Sequence, residues 1–78
     1  MTELRNNERE RLQLREEFVR RQLRRRDLTQ AEKDRYTQEK QAIHTKMGEL
    51  GIVAGAYSHR DDNYIKTRLM TLEGEHSS

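Results

Sequence analysis

The sequence predicts an all-α protein: a long antiparallel helical hairpin of coiled-coil type with a short third helix, assembled as a homodimer. Three observations lead there. Charged residues make up 38% of the chain and proline is absent, so long helices meet no obligatory breaker. Apolar residues recur at helical spacing in three separate segments. A single near-continuous apolar run, Met47 to Tyr57, holds Gly48, Gly51 and Gly55 and is the expected hub on which the helices converge.

Seventy-eight residues make one domain at most, with a small core. Below about 70–80 residues a single core rarely supplies more than roughly 3–5 kcal/mol. There is no cysteine, so disulfides and thiolate metal sites are excluded. Helix packing and self-association remain as sources of stability. No apolar run approaches the ~18 residues that span a bilayer, and the first residues carry no signal-peptide pattern. A soluble, cytoplasmic protein with no membrane contact is therefore expected.

Helix 1 is expected over about residues 3–26, a stretch without a breaker and rich in Arg, Glu, Gln and Leu. Glu16 with Arg20, and Glu17 with Arg21, are i,i+4 pairs in the favoured order, each worth a few tenths of a kcal/mol on a solvated surface. At 100° per residue, Leu12, Val19 and Leu23 form one narrow stripe, and Leu14 with Phe18 form a second. Arg11, Arg15 and Gln22 lie between them. Two seams call for two neighbours, either a third helix or a second subunit.

Thr29-Gln30-Ala31-Glu32 reads as a capping box, so helix 2 is expected over about 30–50. Its apolar positions Tyr36, Ile43, Met47 and Leu50 make one narrow seam. Gly51 stands where a left-handed residue ends a helix, and Ile52 can fold back on Met47 as in a Schellman end. The short link between helices 1 and 2 makes them antiparallel neighbours. Residues 51–60 form a glycine-rich connector, better read as packed chain than as a strand, because a lone strand has nothing to pair with. Ser58-His59-Arg60-Asp61 is a second capping-box candidate. Helix 3 follows over about 61–73 with Ile65, Leu69 and Leu72 on one face. Residues 74–78 are expected to fray. Helix 3 offers only three aligned apolar residues, which leaves part of the second seam on helix 1 for a dimer partner.

The formal net charge of +2 conceals an asymmetry. Residues 1–26 carry nine arginines against five glutamates, while each later third is slightly acidic and the lysines are confined to those two thirds. Arg20, Arg21, Arg24, Arg25 and Arg26 place five guanidiniums within seven residues, uninterrupted by a carboxylate. Cations at a helix C-terminus complement the helix dipole, which is one reading. The other is a partner-binding surface, since the planar guanidinium fork holds carboxylates and phosphates bidentately.

Other motifs carry less. His44, His59 and His76 match no zinc spacing, so no metal is expected. The glycines fit no phosphate loop and are better explained by helix termination. So small a helical chain can hardly wall off a cleft, and neither catalysis nor a cofactor is expected. Asn63, Lys66, Thr67 and Arg68 on helix 3 are types that read bases or phosphates, yet the gap from Gly51 to Arg60 is long for a helix-turn-helix. The expectation is a non-enzymatic adaptor or inhibitor that docks its Arg-rich helix onto a protein. The alternative is a small nucleic-acid-binding regulator. Glu3, Glu8, Glu10, Glu16 and Glu17 favour the first, because a dedicated phosphate-binding helix tends to exclude carboxylates.

Overall fold

The computed structural model describes the backbone of residues 2–77 and the side chains of residues 7–74. Its elements are three helices, α1 (Thr2–Leu23), α2 (Gln30–Leu50) and α3 (Asp62–Ser77), with no strand among the described residues. Helix α1 is the centre. Both α2 and α3 pack against it, and among the described residues they do not pack against each other.

The two stripes of α1 explain this arrangement. Leu12 and Val19 are buried against Ile43 and Met47 of α2, with Leu23, Tyr36 and Ile52 at the margin. Leu14 is buried against Ile65, Leu69 and Leu72 of α3, with Phe18, Tyr57 and Tyr64 around it. Burying a Leu, Ile or Val side chain contributes about 1.5–3 kcal/mol, so each seam is a sufficient reason for its helix to dock. The seam behind the expected dimer is thus filled within the chain by α3. The hub is α1 and not Met47–Tyr57, because the apolar run places Val53 in solvent at 77% exposure while α1 supplies a buried stripe to each neighbour.

Several boundaries differ from expectation. Helix α1 stops at Leu23, short of 26, because the chain tightens into i→i−3 bonds from Arg24 N–H to Arg21 O and from Arg25 N–H to Gln22 O. Leu28 is buried and anchors the turn. Helix α2 begins as its sequence dictates. Thr29 accepts from the Glu32 amide and its own amide donates to the Glu32 carboxylate. It ends in a Schellman motif, with Gly51 at φ 69° and Ile52 N–H bonded to Met47 O at 2.8 Å.

The N-cap of α3 is Asp61, not Ser58. Asp61 Oδ1 accepts from Tyr64 N–H at 2.7 Å. Ser58 and Arg60 donate their amides backwards into turns, to Gly55 O and Tyr57 O. Helix α3 then runs through Gly74 to Ser77, beyond the expected end at 73. A helical glycine costs about 1 kcal/mol relative to alanine but does not stop a helix. Of the expected fraying tail 74–78, Ser78 lies outside the described residues. No helix among the described residues is long and apolar enough to cross a membrane.

Candidate interaction surface

The five arginines singled out by sequence divide into two groups. Arg20 and Arg21 face inward. Arg20 donates to Glu16 at 2.6 Å and lies 3.7 Å from Glu17. Both carboxylates are buried, Glu16 completely, which the sequence did not signal because an i,i+4 Glu–Arg pair is ordinarily a surface feature. His44 Nε2 of α2 approaches the same Glu16 oxygen at 3.0 Å. Removing a cation from such a pair strands a charge away from water.

Arg21 is the most heavily used side chain described. Its Nε donates to Glu17 at 2.8 Å and one terminal nitrogen to Asp62 at 2.6 Å. The other reaches the carbonyls of Tyr57, Ser58 and Arg60. The bond to Glu17 holds its guanidinium pKa above the ordinary arginine range, with the Asp62 bond adding to it. Gln13, Glu17 and Arg21 form one i,i+4 row on α1. Gln13 donates to Val53 O at 3.0 Å, so both ends of that row grip the connector. One guanidinium therefore fastens the connector and the start of α3 to the central helix.

Arg24, Arg25 and Arg26 are exposed and lie in the α1–α2 turn, beyond the helix proper. Arg25 holds Asp27 with two bonds, of 3.0 and 2.7 Å, and Gln22 with a third. Arg25 thereby keeps the Asp27 carboxyl below the usual carboxylate range. Arg24 and Arg26 make no ion pair among the described residues.

A cavity of about 210 Å³ opens where this turn approaches α3. Phe18 and the buried Ile65 form its apolar part, and Arg21, Arg25, Lys66 and Asp62 its charged part. Sequence reasoning placed Arg21 and Arg25 in the patch, Phe18 and Ile65 in seams and Lys66 on the polar side of helix 3. Their convergence is tertiary and has no signal in spacing. A broader groove of about 550 Å³ lies over Leu12 and Ile43, rimmed by Arg11, Arg15, Lys46, Glu39 and Glu73. Arg15 crosses it to Glu39 at 2.6 Å, a bond that raises the Arg15 pKa.

Histidines do not gather ligands here. Among the described residues no group of three His, Cys, Asp or Glu side chains is placed to hold a metal ion, and the His76 side chain lies outside them. Nor do α2 and α3 form a helix-turn-helix, since they do not pack together. No protein-family model, curated protein or solved structure matches the chain.

Proposed function

We propose that the chain is a small non-enzymatic interaction protein, an adaptor or inhibitor, that docks the arginine-rich turn after α1 onto a protein partner. The observation that carries this reading is the division of the arginines. Arg20 and Arg21 are bound into the fold, whereas Arg24, Arg25 and Arg26 stand exposed on a turn held by a capped helix on its far side. Three adjacent guanidiniums on an anchored turn need no backbone ordering on binding and can form charge-assisted bonds. Asp27, Asp61 and Asp62 stand near the same end, a mixture of signs that suits a protein surface better than a polyanion. An antiparallel course of α1 and α2 belongs to this reading and is supported by the short connection over residues 24–29.

The test is capture from host lysate, with and without nuclease, using the parent chain and an R24Q/R25Q/R26Q variant. Gln preserves helix propensity nearby and removes charge and fork. The expected result is a nuclease-resistant protein partner bound at least about tenfold more weakly by the variant, as loss of two charge-assisted bonds implies. Nuclease-sensitive capture with a log–log salt slope near about −3, one unit for each phosphate neutralised, would assign the turn to nucleic acid instead. Equal binding by parent and variant would remove the turn from the contact surface.

A further inference from the structure

Resting on that reading, we infer that the cavity between the end of α1 and the start of α3 receives one bulky aliphatic side chain from an acidic peptide segment, with neighbouring carboxylates seated on its cationic rim. Size is the first argument. At about 210 Å³ the cavity falls below the roughly 300–1,000 Å³ of sites for cofactors and other small molecules, and suits a single side chain.

Its lining is the second. The half-buried Phe18, over the buried Ile65, offers an apolar floor, which a phosphate backbone has no use for. Arg21, Arg25 and Lys66 line the rim against Asp62. With Asp62, Glu17 and Asp27, bonded to the two arginines, balance those three cations, and the exposed Arg24 and Arg26 of the adjoining turn leave the surroundings net cationic, so the field there favours an anion. The cations are not equivalent. Arg21 is fixed by Glu17, Asp62 and the connector carbonyls, and it shapes the wall without being available for exchange. Arg25 is half exposed and its present partner Asp27 is more exposed still, so a partner's carboxylate can take the place of Asp27 in the same two-pronged geometry. Lys66 is exposed on the opposite lip and makes no ion pair among the described residues. A carboxylate-flanked aliphatic residue satisfies all of these features together. A nucleic acid leaves the apolar floor unused.

The experiment uses the full chain and fluorescence anisotropy. The probe is a labelled heptapeptide with one central leucine flanked by glutamates. Its controls are the same peptide with alanine for leucine and a single-stranded oligonucleotide of equal charge. The leucine peptide should bind saturably, and the alanine peptide at least about tenfold more weakly, as loss of an anchor from a pocket implies. The R25Q/K66Q variant, whose changes lie outside the buried seams, should lose about tenfold or more with an unchanged circular dichroism spectrum. An R24Q/R26Q variant should lose less than about threefold.

Equal binding of leucine and alanine peptides would overturn the inference, and so would no saturable binding at millimolar peptide. Tighter binding of the oligonucleotide would overturn it too. Greater loss in R24Q/R26Q than in R25Q/K66Q would also defeat it while leaving the turn itself as the contact surface. The lysate experiment with the triple variant judges that broader reading separately.

Discussion

Replacing Arg21 by glutamine tests how the connector and α3 are held. The substitution removes the bond to Glu17 at 2.8 Å, the pair with Asp62 at 2.6 Å and the donation to three connector carbonyls. These losses differ in weight. Asp62 is 75% exposed, so its pair contributes at most about 1 kcal/mol. Glu17 is 2% exposed, and its remaining cation is Arg20 at 3.7 Å, too far for a hydrogen bond. Stranding a buried carboxylate costs about 3–5 kcal/mol when its partner is removed, and Arg20 offsets part of that. A loss of about 2–4 kcal/mol is expected, most of the stability available to a chain of this size. Urea unfolding followed by circular dichroism at 222 nm measures it. The decisive variant is the double change E17Q/R21Q. If the cost arises from a stranded charge, the neutral Glu17→Gln recovers at least about 1 kcal/mol of the loss from R21Q, and the two changes are strongly non-additive. Additive destabilisation, or a loss below about 0.5 kcal/mol for R21Q alone, would refute the idea that one guanidinium fastens the connector over a buried carboxylate.

Both ends of α2 yield sharper local tests. Thr29→Ala removes a capping box in which both bonds are formed and should cost about 1 kcal/mol by the same unfolding assay. Gly51→Val should cost more, about 1–2 kcal/mol for the left-handed backbone alone with a further contribution from the β-branch. No atom lies within 4 Å of an added Cβ there, so the penalty is conformational and not steric crowding. Acid should loosen the start of α2. Donation from the Thr29 amide, then its hydroxyl, holds the Glu32 carboxyl below its ordinary range. A depressed carboxyl stabilises the folded state above the unfolded pKa of about 4.3, and that contribution disappears as pH falls through the lower folded value. The Thr29 amide shift should therefore titrate with a midpoint below about 4.3 in the parent and stay flat there in E32Q. A midpoint above that value, or an unchanged titration in E32Q, would break the assignment.

What the sequence made legible was mostly local. The capping box at Thr29 and the Schellman end at Gly51 each need only a few consecutive residues, and both are formed as their chemistry dictates. The two stripes on helix 1 were equally readable, because 3.6-residue periodicity survives any arrangement of neighbours, and each now has its own partner. The apolar run at Met47–Tyr57 misled because only Met47 in it is fully buried, while Leu50 at the end of α2 and Val53 and Ala54 in the connector face solvent. Glu16 and Glu17 looked like surface charges, yet both are buried, Glu16 beside His44 of α2 and Glu17 in a row whose ends, Gln13 and Arg21, grip the connector. Arg24 to Arg26 read as helix because arginine is a good helix former, yet the chain tightens into i→i−3 bonds at Arg24 and Arg25 and buries Leu28 in the turn that follows. Ser58 lost the capping role to Asp61 because residues 58–60 fold into turns, with the Ser58 and Arg60 amides donating back to Gly55 and Tyr57, and α3 starts only at Asp62. The same long-range contacts bring Lys66 beside Arg25, which no spacing in the sequence encodes.

The central position of α1 is tested most directly by nuclear Overhauser effects between methyl groups in a sample labelled at Ile, Leu, Val and Met. Contacts are expected from Leu12 and Val19 to Ile43 and Met47, and separately from Leu14 to Ile65, Leu69 and Leu72. None is expected between the α2 set and the α3 set. Strong effects between Ile43 or Met47 and Leu69 or Leu72 would place α2 against α3 and contradict the arrangement of two helices that meet only through α1.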